Sequence, residues 1–153
     1  MKKIAFFISA AMFLSYAAIA SSPESWVVSE DGRIPAEKVK IGFNKAKIVL
    51  ENGEKTILPF DNLHAYSLNG KVFEKKPYYK DGEATGEEVF MQLISYSNGL
   101  KLFKHVEYDY EAIIPGIPVN KFYVYRNNEL HLALDQKSLP TVMDFFSVRW
   151  SYR

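Results

Sequence analysis

The chain has 153 residues, 48% of them hydrophobic, with no cysteine and with 19 basic residues against 18 acidic ones. That size and composition suit one domain with a core of its own. The missing cysteines exclude disulfides, thiolate catalysis and cysteine-ligated metals, and the charge balance gives no support to a nucleic-acid or anionic-membrane partner, which calls for a basic excess.

Lys2 and Lys3 precede an uncharged run from Ile4 to Ile19 that closes on Ala18-Ile19-Ala20. This order predicts a secretory signal over residues 1–20, cleaved after Ala20. The expected product is a single antiparallel β domain over residues 21–153, periplasmic or extracellular. Ser21, and not a lipid-accepting cysteine, follows the cleavage point, so that product is not lipid-anchored. No second apolar run approaches the ~20 residues of a membrane helix.

Ser21 to Arg33 is polar and turn-rich around Trp26-Val27-Val28, and reads as a strand or a loose arm. Beyond it the punctuation becomes regular: Asn52-Gly53, Asn69-Gly70, Asp81-Gly82, Asn98-Gly99 and Asn127-Asn128. These residues tolerate the positive φ of tight hairpins, so the chain reads as an antiparallel meander and not as alternating strands and helices.

The runs between turns alternate. Val39, Ile41 and Phe43 oppose Lys38 and Lys40; Ala46, Ile48 and Leu50 oppose Lys45, Lys47 and Glu51. Glu87 to Tyr96 is apolar on both faces and is expected to be central. Lys121 to Arg126 and Leu130 to Leu134 supply two further strands. Ser138 is placed to cap a helix with Pro140 in its first turn and Leu139, Val142, Met143 and Phe146 along one stripe. The strict alternation from Phe146 to Tyr152 predicts a terminal strand after that helix, with one continuous helix to Trp150 as the alternative. The fold class is therefore all-β: a meander of about eight or nine strands closing as a barrel or a two-sheet sandwich, with one short C-terminal helix.

Three segments, Val49-Leu50-Glu51-Asn52-Gly53-Glu54-Lys55, Asn69-Gly70-Lys71-Val72-Phe73-Glu74-Lys75 and Gly99-Leu100-Lys101-Leu102-Phe103-Lys104, resemble those of small exported all-β proteins of unknown function from Gram-negative bacteria. The resemblance spans residues 37–135, rests on turn and strand chemistry, and implies the fold without any active site.

Two constellations bear on function. The first is aromatic: ten tyrosines, eleven phenylalanines and two tryptophans. Most suit a strand-built core, but Tyr78 and Tyr79 stand beside the Asp81-Gly82 turn. Consecutive strand residues point to opposite faces, so one of the pair is expected to be exposed and to bind a partner protein, peptide or glycan. The second is the alternation of His105, Glu107, Asp109 and Glu111 opposite Leu102, Val106, Tyr108 and Tyr110. Such a face can hold a divalent cation or supply a general acid and base, and equally can be a solvated face paired with lysines across the sheet. Same-face neighbours lie ~7 Å apart along a strand, so a metal needs a further ligand from another strand. His64, on a face with Tyr66 and Leu68, is expected to be a half-buried structural histidine. No motif calls for a cofactor. Stable membrane insertion as an outer-membrane barrel is not expected, because several runs fall short of the ~9–11 residues of such strands and Pro59 and Pro77 interrupt others. The leading expectation is a non-enzymatic exported binding protein. An enzyme or metal-binding protein built on strand 105–111, and a structural or assembly component of the cell envelope, are its competitors.

Overall fold

The computed structural model describes residues 25–109 and 116–148, Asp109 by its backbone alone. The expected signal, Glu111 and residues 149–153 lie outside the described residues.

The turn-rich opening is a hairpin and not a loose arm: β1 (Ser25–Ser29) and β2 (Gly32–Ala36) pair antiparallel across the Glu30-Asp31 turn. Next come β3 (Lys38–Ile41), β4 (Lys45–Val49) and β5 (Lys55–Pro59), which form a separate three-stranded antiparallel sheet in chain order. A 3-10 turn, Phe60–Asn62, returns the chain to the first sheet. There follow β6 (Leu63–Leu68), β7 (Lys71–Lys80), β8 (Glu83–Ser97), β9 (Leu100–Asp109), β10 (Ile117–Arg126) and β11 (Glu129–Leu134). Together with β1 and β2 they make an eight-stranded antiparallel sheet, ordered β11-β10-β9-β8-β7-β6-β1-β2. The fold is thus all-β, two antiparallel sheets with one short helix, α1 (Leu139–Phe145). There are eleven strands among the described residues: the opening residues divide into two, and β5 joins the two strands expected from the lysine-rich stretch. Strand β8 is central as expected, paired on both sides.

Turn chemistry explains the connections. Asn69-Gly70, Asp81-Gly82 and Asn98-Gly99 all place both residues at positive φ, the geometry whose twist matches the flanking strands in a two-residue hairpin. Asn52-Gly53 works differently. It sits in a three-residue loop where the Gly53 N–H donates to the Leu50 carbonyl and the Asn52 side chain accepts the Glu54 N–H at 2.9 Å.

One face of the long sheet is covered twice. Over β1, β2 and β6 lie Val39, Ala46 and Ile48 of the small sheet, packed on Val27, Ala36 and Tyr66. Tyr66 stacks on Phe73 at 4.8 Å between ring centres and meets Phe90 edge-on at 5.2 Å. Over β9 and β10 lies α1, whose Leu139 and Met143, with Phe146 just beyond, pack on Leu102, Phe122 and Val124. Seven residues are too few for an isolated helix to be stable, so this contact holds α1 in place. After it the chain turns at Ser147, whose φ is 55°; Phe146 to Val148 is not the beginning of the expected strand.

The other face closes on itself. Strands β7 to β11 curl until β7 meets β11, enclosing Met91, Phe103, Tyr123 and Tyr125. The Tyr125 hydroxyl spans the curl and donates to the Pro77 carbonyl at 2.6 Å. Register shifts in β7–β8 and β8–β9 supply the bending, since an extra residue in one strand increases local twist.

Candidate binding site

The curl decides where the two constellations point. On β9, Phe103, His105 and Glu107 alternate onto the inner face, while Val106 and Tyr108 are 40% and 58% exposed on the outer one. The solvated face expected for the acidic side is therefore the half-buried one, and the apolar side faces water. On β9, helix α1 covers the outer face at the Leu100 and Leu102 end, and Tyr108, toward the other end of the strand, is outside that cluster.

The Glu107 carboxylate sits between two phenols. Its Oε1 accepts the Tyr78 hydroxyl at 2.6 Å and the Tyr123 hydroxyl at 3.3 Å, and the His105 ring lies 5.6 Å from that of Tyr78. Burial, the hydrogen bond to Glu107 and the charges of Glu107 and Asp81 push the Tyr78 phenol up to about 12. Burial and the Glu107 charge push Tyr123 further in the same direction. Burial pulls His105 below its ordinary value, only partly offset by Glu107 and by a backbone hydrogen bond at Phe90. At neutral pH the cluster therefore presents two phenols and an uncharged imidazole around one carboxylate.

Tyr78 and Tyr79 depart from the sequence expectation in an informative way. They do not take opposite faces with one exposed: both are half-buried, and both pack against the inner cluster. Between the pairs Pro77 with Glu88 and Tyr79 with Ala84, β8 runs ahead of β7. Gly86, at φ 81°, takes up the extra length, and the Thr85 hydroxyl donates to the Tyr78 carbonyl at 3.0 Å. This bulge turns the end of β7 so that Tyr79 meets the Tyr125 ring at 6.5 Å while Tyr78 meets Glu107. A lone glycine inside a strand pattern is the sequence sign of such a bulge, and Gly86 is that residue.

A groove of about 290 Å³ opens along this edge, lined by Tyr78, Tyr79, Tyr123 and Glu107 together with Lys80, Asp81, Lys121 and Asp135. Lys121 stands directly across the ladder from His105. The Asp135 carboxylate is already engaged: its Oδ1 accepts the Ser138 N–H at 2.7 Å, the Ser138 hydroxyl at 2.8 Å and the Lys137 N–H at 3.0 Å. Those bonds, led by the one from the Ser138 backbone, hold its carboxyl below the usual range. Asp135, and not Ser138, thus organises the entry to α1; Ser138 has helical backbone angles and its side chain makes no capping bond.

Of the four residues proposed as metal ligands, the structure brings His105 and Glu107 to one face, while the Asp109 side chain and Glu111 lie outside the described residues. Among the described residues no group of three or more His, Asp or Glu side chains is placed to hold a metal ion. His64 is exposed and not half-buried, and no helix among the described residues is long and apolar enough to cross a membrane. Comparison with protein-family models, curated proteins and solved structures gives no match to this chain, so no relative's site residues bear on the groove.

Proposed function

We propose that the protein is an exported, non-enzymatic binding protein that takes a sugar ring or a peptide side chain into the groove at Tyr78 and Tyr79. The observation that carries this reading is the pinning of Tyr78 and Tyr123 onto Glu107 at the wall of a groove that Tyr79 also lines. Rings fixed before binding lose little conformational freedom on contact, and tyrosine offers a flat apolar face with a polar tip. The groove lies at the small end of ligand pockets, ~300–1,000 Å³, which favours one ring or one side chain of a larger ligand over a folded partner. Lys80 and Lys121 at its rim add donors for hydroxyl, carbonyl or carboxylate groups.

The test is calorimetric titration with a panel of soluble oligosaccharides and short peptides. A ligand bound by the wild type should lose at least about tenfold in affinity, or ~1.4 kcal/mol, in Tyr78→Ala and in Tyr79→Ala, with the β-sheet circular dichroism unchanged. Full affinity in both variants would place the site elsewhere. Export is tested separately, by amino-terminal sequencing of the protein recovered from cells: a start at Ser21 supports it and a start at Met1 removes it.

A further inference from the structure

The near-neutral charge of the chain hides a strong segregation. Strand alternation puts Lys38 and Lys40 of β3, Lys45 and Lys47 of β4, and Lys55 of β5 all on the face of the small sheet turned away from the core, and all five are exposed. None of them makes an ion pair among the described residues, where the ion pairs are both at Glu74. Lys40 stands directly opposite Lys47 in the ladder, an arrangement that repels and weakens the sheet. The nearest acids in the chain are marginal to the face: Glu37, exposed, stands just before β3, its N–H donating to the Val49 carbonyl at 2.9 Å. Glu51 and Glu54 occupy the turn at the end remote from the β3–β4 hairpin, and Asp61 follows β5 by two residues.

At the tip of the β3–β4 hairpin stands Phe43, 99% exposed, and within the lysine face Ile57 is 58% exposed. The hairpin is held by a hydrogen bond from the Gly42 N–H to the Lys45 carbonyl at 2.9 Å, and the Asn44 carbonyl accepts the Phe60 N–H at 3.1 Å. Phe43 and Ile57 thus put apolar surface in water beside the five lysines, and it is this combination, not either residue alone, that bears on binding.

We propose that this face is a peripheral docking surface for a bilayer carrying anionic headgroups, with Phe43 entering the headgroup and acyl boundary and the lysines resting on the phosphates. A flat basic patch beside one apolar wedge is the combination that binds such interfaces, each element weak alone. Single-stranded nucleic acid is disfavoured by the same geometry. It requires successive aromatic platforms within the basic track, whereas here one aromatic stands beyond the end of the lysines. The inference is independent of the tyrosine groove, which the two sheets place in another part of the fold.

The test is co-sedimentation of the protein, as recovered from cells, with vesicles of phosphatidylglycerol and phosphatidylcholine in equal parts and with vesicles of phosphatidylcholine alone. The protein used is that whose amino terminus is sequenced as Ser21, so Lys2, Lys3 and the apolar run after them do not contribute, and the decisive readouts are the difference between the two vesicles and the difference between wild type and variants. Binding should favour the anionic vesicles, fall with added salt as exposed charges are screened, and weaken about fivefold for each of Lys40→Gln and Lys47→Gln. Phe43→Ser should weaken it with salt dependence retained, and in Phe43→Trp the indole emission should shift to the blue on anionic vesicles. Unchanged circular dichroism and thermal midpoint in the glutamine variants show that folding is not the cause. Equal binding to both vesicles, no binding to either, insensitivity to both lysine variants, or tighter binding to a single-stranded oligonucleotide than to the anionic vesicles would each overturn the proposal.

Discussion

The carboxylate of Glu74 reaches the ammonium of Lys76 at 2.9 Å, two residues further along the same face of β7, and Lys76 is only 6% exposed. The ammonium lies 5.2 Å from the centre of the Phe103 ring and donates to the Asn128 side chain at 3.0 Å. Lys101 approaches Glu74 from β9 at 2.7 Å and remains 43% exposed. Glu74 is therefore the one anion between a buried cation and a hydrated one. Glu74→Gln should destabilise the fold by ~3–5 kcal/mol, the usual loss when a buried charge is left without its partner. Replacing both members with apolar residues, Glu74→Leu with Lys76→Met, should be neutral or stabilising, because the desolvation of two charges disappears with their attraction. Urea unfolding of the single and double variants checks both, and equal losses in the two would show that packing and not charge dominates at this place.

Acid should weaken the fold in two stages. Burial pulls His105 below 6.5, so the folded state keeps an uncharged imidazole while the unfolded chain gains a proton. Stability is then undiminished above pH 6.5, falls as pH drops from there toward the folded value, and levels off below it. Glu74 follows at lower pH. Burial alone would raise its pKa, but hydrogen bonds and charges of Lys101 and Lys76 outweigh burial and hold it below 4.5. Its contribution is present above 4.5 and is lost as pH falls through the lowered value. Urea midpoints measured against pH should show the upper stage vanish in His105→Gln and the lower one remain.

Local rules were enough for much of the fold and silent on the site for a physical reason. Asn69-Gly70 and Asn98-Gly99 announce their hairpins because the required positive φ angles belong to the turn residues themselves. Alternation in β9 separates His105 and Glu107 from Val106 and Tyr108, yet it cannot say which side is covered. That depends on where β7 and β11 meet and how far α1 reaches. The lysine face shows a similar divide. Each lysine is legible as the polar half of a strand, while net charge, a sum over the chain, conceals that five of them share one surface. Tyr78 and Tyr79 were placed on opposite faces by an alternation that the bulge at Gly86 breaks.

The bond between Tyr78 and Glu107 gives an alkaline signature. Burial contributes first and Glu107 second to moving the Tyr78 phenol from 10.0 to about 12. In Glu107→Gln the charge is gone and burial remains, so Tyr78 should ionise earlier while still above 10. Stability follows the same sign: a raised folded value means a contribution fully present below pH 10 that is lost as pH rises through about 12. Tyrosinate absorbance during an alkaline titration, compared with Tyr78→Phe to identify the step, measures it. No shift of that step in Glu107→Gln would mean that the carboxylate does not hold the phenol in solution, and the preorganised wall of the groove would go with it.

Helix α1 offers the last prediction, because it is held by tertiary contact and by a turn outside its own sequence. Met143 is 1% exposed against Leu102, Phe122 and Val124, so Met143→Ala leaves a cavity and should cost ~2–5 kcal/mol. At the entry, Asp135 accepts two backbone N–H groups and the Ser138 hydroxyl, whereas Ser138 makes no capping bond to the helix. Asp135→Ala should therefore lower the thermal midpoint more than Ser138→Ala does, the reverse of what an N-cap serine predicts. Asp135 also lines the tyrosine groove, so the same substitution should loosen the wall formed by the end of β11. Hydrogen exchange resolves the two effects: faster exchange at Lys137 and Ser138 reports the turn, and faster exchange through α1 with slow exchange kept in β9 and β10 shows the helix leaving a sheet that stays folded.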